Sequence, residues 1–485
     1  MIKKIILVFL LLEVNISLAD DFVWIVGGGY DLKSSQVQIE KNVIWAAKVV
    51  SQAPLTNGRV RYLNVFFTDG DAPGKDVNVW QPKSGMQSGL QPLAMIYDAN
   101  YEHGLEYRNH NIVKVRGSTA RNELEPMLGT DFSNLKKGDR GLFIFNGHGV
   151  YDKKNTANNK LMLWDKSALS VAEFSSLLDK VDNSVPMRFV FTQCYSGGFE
   201  RLVHPAAADN IELVSAPRCG FFSEAADRKA EGCSASIDTA DYRDYSTYFF
   251  AALSGQTRQA EALPENPDRN GDGQVSLYEA HLYTLAQAHS IDLPRSTSEV
   301  YLERWQPWYL RWFFAGEGRG NVYAKLANDL ARQLSVPTEQ SVQRSVISKK
   351  RRRLDRKNKK LKKERLQLRV AMTELRYQIR YGLEQQWPKF TKVRADNYLQ
   401  LPEREISEIR RFITGHDDWP TLRRGYRRYY EILSEQLAVK REVTRFDKLH
   451  RLNKLARLRQ QFDEKATIQQ KADYQRLLGC EKLPL

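Results

Sequence analysis

Two apolar runs in this chain each end on a residue able to do covalent chemistry. Leu142-Phe143-Ile144-Phe145 leads into Asn146-Gly147-His148-Gly149, and Met187-Arg188-Phe189-Val190-Phe191 leads into Thr192-Gln193-Cys194-Tyr195-Ser196-Gly197-Gly198. A free thiol is mostly protonated near neutral pH, so a nucleophilic cysteine needs an imidazole beside it. That imidazole takes the thiol proton and later protonates the leaving amine. His148 and Cys194 are candidates for these two roles. The backbone N–H groups of Gly149 and Cys194 are candidates for holding the oxyanion of a tetrahedral intermediate. No third carboxylate or amide can be assigned to the pair from sequence.

A second constellation suits a hard cation. Asp268, Asn270, Asp272, the Gln274 carbonyl, Ser276 and Glu279 fall at the ligand positions of an EF-hand loop, with Gly273 at the sharp turn and Val275 as the apolar anchor. Calcium is the expected ion, in a structural role because no second loop partners the first. The plainer alternative is a polar turn that caps a helix starting near Leu277. No organic cofactor is expected. The triple glycine at 27–29 lacks the spacing and the lysine of a phosphate cradle.

The four cysteines are read through the compartment. Residues 1–19 combine a basic start, a short apolar core and a Ser-Leu-Ala ending, which is the pattern of a secretory signal peptide. The expected protein is therefore exported, periplasmic or extracellular. In an oxidising compartment Cys219 and Cys233 are expected to close a disulfide, leaving Cys194 reduced and Cys480 free or paired between chains.

These residues need elements to place them. Apolar runs at 22–26, 60–67, 141–146, 187–191 and 211–215 read as strands, and helical patterns fall between them. Ser35 is the expected cap of the first helix, and 71–110 reads as a long loop. The alternation gives an α/β class with a mainly parallel sheet, whose functional groups gather beyond the carboxyl ends of the strands. With 42% hydrophobic residues, the chain is not wholesale disordered.

After about residue 325 the character changes. Ile347, Leu354, Leu361, Leu368 and Leu375 recur every seven residues, joined late by Met372 and Ile379. A linker at 325–345 and a basic, all-α coiled-coil or helical-hairpin region at 346–485 are expected. The formal net charge of +15 concentrates there, in Lys349-Lys350-Arg351-Arg352-Arg353 and in 357–365. An anionic envelope surface, an acidic protein or a second copy through the coiled coil are the expected partners, against a solvated helix face. Nucleic acid is not, because aromatics do not interleave with the basic run.

The run ending Asn146-Gly147-His148-Gly149, the run ending Gln193-Cys194-Tyr195-Ser196-Gly197 and the gap between them resemble the caspase–legumain–gingipain clan of cysteine peptidases. The resemblance covers roughly residues 22–312 and is nearest to bacterial legumain-like proteins. It implies a caspase-like α/β/α sandwich over 20–324, a His148–Cys194 dyad, Gly149 in the oxyanion hole, and a protein or peptide substrate. Where legumains carry an S1 arginine after the first strand, Ser34 stands here, so no P1 preference follows. The expected activity is that of a cysteine endopeptidase. The alternatives are an inactive scaffold on the same fold or a transpeptidase using the same dyad.

Overall fold

The computed structural model describes residues 20–53, 60–80, 90–97, 105–234, 238–307, 318–388 and 403–485. The expected signal peptide at 1–19 lies outside them. Among the described residues ten strands follow in chain order: β1 (Asp21–Gly28), β2 (Arg61–Phe67), β3 (Val77–Trp80), β4 (Leu105–Arg108), β5 (Arg140–Val150), β6 (Lys160–Leu163), β7 (Ser167–Ser170), β8 (Met187–Phe191), β9 (Arg218–Phe222) and β10 (Arg295–Ser296). The main sheet runs β10-β9-β8-β5-β1-β2, with β6 and β7 added beside β5. Strands β2, β1, β5, β8 and β9 are mutually parallel, and β10 is antiparallel to β9.

The central strands are mostly apolar because helices cover both faces, Arg188 in the middle of β8 being an exception. Alternation sends Val23, Ile25, Leu142, Ile144, Val190 and Phe221 into one core. Trp24, Phe143, Phe145, Phe189, Phe191 and Phe222 enter the other. Full burial of each phenylalanine is worth about 1.5–3 kcal/mol, so a one-residue slip would forfeit most of the second core. That fixes the register, Phe145 opposite Phe191 among the pairs. Helices Arg121–Asn134 and Val171–Leu178 cover the second core. Helices Val37–Gln52, Tyr245–Ser254 and Leu277–Gln287 cover the first.

The C-terminal region is helical: Val322–Gln333, Gln340–Gln386, Glu403–Gly415, Trp419–Lys465 and Ile468–Glu481. The two 47-residue helices pack as a hairpin. Leu361 meets Ile432 and Val439, while Met372, Ile379 and Leu383 join Ile409, Ile413 and Leu422. Further along, Leu449, Leu452, Leu455 and Phe462 enter the first core of the sheet. The second long helix therefore serves both the hairpin and the α/β layer.

Several expectations differ from what forms. Cys219 does not pair with Cys233; it is bonded to Cys480, with Cα atoms 5.9 Å apart. Cys219 lies on β9 with the side-chain parity of Phe221, toward the layer where helix Ile468–Glu481 packs. Cys233 instead lies in the loop beyond the sheet and stays free. Residues 211–215 form no strand, because β9 takes the place beside β8. Ser35 does not cap the first helix: Gln36 is its N-cap, and Asp31 with Ser34 closes a capping box one turn earlier. The expected loop at 71–110 contains the β3–β4 pair and helix Leu90–Tyr97. Most of helix Val322–Gln333 and the start of the first long helix fall within the expected linker.

Candidate active site

Because β5 and β8 are parallel with Phe145 opposite Phe191, His148 and Cys194 each stand three residues further on. Neighbouring strands lie about 4.8 Å apart, so the two residues fall side by side beyond the last β5–β8 pair, His148 being still paired with Met162 on β6. Strand β1 has β2 on one side and β5 on the other, which makes this edge the point where the winding of the sheet reverses. Gly149 is required by close approach: a Cβ there would stand 2.1 Å from the Cys194 carbonyl oxygen.

The loop after β1 orients the imidazole. His148 Nε2 lies 2.7 Å from the Ser34 carbonyl and 2.9 Å from Gln36 Oε1. Both are acceptors, so the network assigns the proton to Nε2 and leaves the Nδ1 lone pair open. Burial lowers the His148 pKa, against the opposing pull of the Ser34 carbonyl and Asp31. The ring is accordingly neutral at neutral pH, which is the state a general base needs.

The sulfur facing Nδ1 belongs to Cys233, at 3.7 Å. Cys194 Sγ lies 3.8 Å from the Ala230 carbonyl. Residues 228–234 thus form a strap across the site. The Arg228 carbonyl accepts from Tyr195 N at 2.8 Å, and Glu231 N donates to Asp292 at 2.6 Å. Ser234 N donates to Gln38 Oε1 at 2.9 Å. Arg441, on the second long helix, forms an ion pair with Glu231. Burial raises the Cys194 pKa, with further upward contributions from the Asp292 and Glu224 carboxylates. Under the strap, Cys194 is held as a thiol.

Beside Cys194 lies a cramped cavity whose walls include Asn146, Gln193, Asp244 and the strap residues Glu231, Gly232 and Cys233. Both amide atoms of Gln193 and Nδ2 of Asn146 are buried without a hydrogen-bond partner among the described residues. Asn146 Oδ1 is engaged by Thr192 and Ser246 hydroxyls, which fixes its amide. Sequence reading missed Gln36, Asp244 and the placement of Cys233. Fold contacts 85 or more positions apart in the chain bring them into play, and nothing local marks them.

The 268–279 loop precedes helix Leu277–Gln287, whose start is closed by a Ser276–Glu279 capping box. Asp268 accepts from Gly271 N and Gly273 N, at 2.7 and 3.0 Å. Glu279 accepts from Arg269 N, Asn270 N and Ser276 N. Asp272 accepts from Gln274 N, and Asn270 Oδ1 from Asp272 N. The donor types suit a hard cation, but these side chains face the loop's own N–H groups. Among the described residues no group of three or more His, Cys, Asp or Glu is gathered closely enough to hold a metal.

Also among them, no helix is long and apolar enough to cross a membrane. No protein-family model and no curated protein matches the chain. Among solved structures, it is similar to the crystal structure of protein GSU0716 from Geobacter sulfurreducens, at 12% identity, 57% coverage of this chain, 92% of that chain and a TM-score of 0.34.

Proposed function

We propose that this chain is an exported cysteine endopeptidase with a caspase-like arrangement, in which Cys194 attacks a peptide carbonyl and His148 is the general base and acid. The observation that carries the reading is a buried, neutral imidazole whose Nδ1 lone pair can accept a thiol proton, faced by Cys233 Sγ at 3.7 Å and set beside the strand end that bears Cys194. His148 would take the thiol proton as sulfur attacks. The same proton then goes to the departing amine, leaving a thioester that water hydrolyses. Ser34 and Gln36 hold the ring in the tautomer this requires. Gly149 and Cys194 would offer backbone N–H groups to the oxyanion. Calcium in the 268–279 loop would be structural, held by its oxygen donors in competition with the loop's own N–H groups.

The test is trapping of the reduced full chain by a peptidyl electrophile, with and without calcium, and mass mapping of the adduct. Label is expected on Cys194, abolished in Cys194→Ala and slowed about 10²–10⁴-fold in His148→Ala. Label confined to Cys233, or no faster than on an unfolded thiol, would refute the assignment. An added amine acceptor tells hydrolysis from transpeptidation.

A further inference from the structure

We infer that Cys233 is a redox latch on the proposed site, oxidation joining it to Cys194 and clamping the strap over His148. This rests on the reading of His148 and Cys194 as the catalytic pair. Three observations converge. Cys194 and Cys233 are free while Cys219 and Cys480 are bonded. Both free thiols border the same small cavity. Cys233 has part of its surface exposed, yet burial of its sulfur and then the neighbouring Cys194 push its thiol pKa well up, and that sulfur lies 3.7 Å from the Nδ1 that would otherwise serve Cys194.

The strap is tied at Arg228, Glu231 and Ser234, so Cys233 is delivered by a fixed loop rather than by a wandering one. Its exchange partner is a small-molecule disulfide. His148 Nδ1 accepts the Cys233 proton, and the thiolate attacks one sulfur of the donor, whose other sulfur leaves as a thiolate. Cys194, deprotonated in turn, attacks the Cys233 sulfur of the mixed disulfide. The Cys194–Cys233 bond forms and the second donor thiolate departs. Two protein thiols lose two electrons and two protons, and one donor disulfide becomes two thiols. The attacking sulfur of the site is then bonded, and a thiol reductant reverses each step.

The full chain is equilibrated with oxidised glutathione or with dithiothreitol, digested under non-reducing conditions, and mapped by mass spectrometry. Parallel samples receive the peptidyl electrophile. The expected result is a Cys194–Cys233 cross-linked peptide in the oxidised sample and at least a tenfold loss of Cys194 labelling, restored by dithiothreitol. Cys233→Ser is expected to keep its labelling under oxidant. Absence of the cross-linked peptide, or equal oxidant sensitivity in Cys233→Ser, overturns the latch. If the cross-link forms but reduced protein never reacts with the electrophile, the latch chemistry stands and the peptidase reading falls.

The outer face of the first long helix carries an independent observation. Arg352, Arg356, Lys359 and Lys363 recur at i+3/i+4 steps, are exposed, and have no carboxylate at ion-pair distance among the described residues. The same steps continue through Leu366, Val370, Tyr377 and Tyr381, which are 59%, 65%, 61% and 55% exposed. Glu374 interrupts the apolar half. The stripe lies opposite the packed face of Leu361, Met372, Ile379 and Leu383 and is about 44 Å long at 1.5 Å per residue.

We propose that this stripe docks on an anionic phospholipid surface. Headgroup phosphates match the cationic half, and the headgroup–acyl boundary takes tyrosine and aliphatic side chains from the other half. A second copy would set cation against cation, and a soluble polyanion would leave the apolar half in water. Co-sedimentation of the full chain with phosphatidylcholine vesicles, with or without 30% phosphatidylglycerol, tests it. At least tenfold preference for anionic vesicles is expected, lost when Leu366, Val370, Tyr377 and Tyr381 are all replaced by serine with the melting curve unchanged. No preference overturns the proposal. Unchanged binding by the serine variant, with polyglutamate competing, also overturns it and assigns the cations to an acidic polymer.

Discussion

At His148 and Cys194, burial acts on both partners in opposite directions. It depresses the imidazole and elevates the thiol, so each favours its neutral form while the strap is in place. Alkylation of Cys194 by iodoacetamide in the reduced protein is therefore expected to be slow at pH 7. It should climb about tenfold per pH unit through the ordinary thiol range and beyond, because the thiolate fraction rises with pH until the elevated pKa is passed. A fast rate, flat down to pH 5, would mean a preformed thiolate–imidazolium pair. His148 and Cys194 were legible in the sequence because each follows an apolar run that ends abruptly. Cys233 was not, since its neighbours in the chain are glycine and serine, and its role depends on which sulfur fills the space beside β9.

At the scale of elements, the bond between Cys219 and Cys480 joins β9 to helix Ile468–Glu481 across 261 positions. Closing so long a loop removes much freedom from the unfolded chain. The same helix end is held at Glu481, which accepts from Ser298 N and Oγ at 2.7 and 2.6 Å and from Thr297 Oγ1 at 2.7 Å. Cys480→Ser is expected to lower stability by roughly 2–5 kcal/mol in denaturant titration, and wild-type protein in dithiothreitol should approach the same curve. Identical curves for variant and oxidised wild type would show that Glu481 and the apolar contacts hold the helix unaided. The strands were readable because burial on both faces leaves long apolar runs, whereas β3, β4 and β10 are two to four residues long and leave too little pattern.

Across the whole molecule, the sequence drew a border near residue 325 where composition changes, but the cores do not respect it. Leucines spaced for a hairpin also pack beneath the sheet, because Leu449, Leu452 and Leu455 share a core with Val23 and Ile25. A heptad records that a helix face is apolar and is silent on what covers it. Arg188 bears this out from the other end. It sits in the middle of the cysteine-bearing strand, 2% exposed, and donates to the carbonyls of Leu483 and Pro484. At roughly 5–20 residues per second, those acceptors leave the ribosome about 15–60 seconds after the guanidinium that needs them. During that interval the strand beside His148 lacks these two hydrogen bonds, so part of what braces the candidate site is supplied by residues 295 and 296 positions further along the chain.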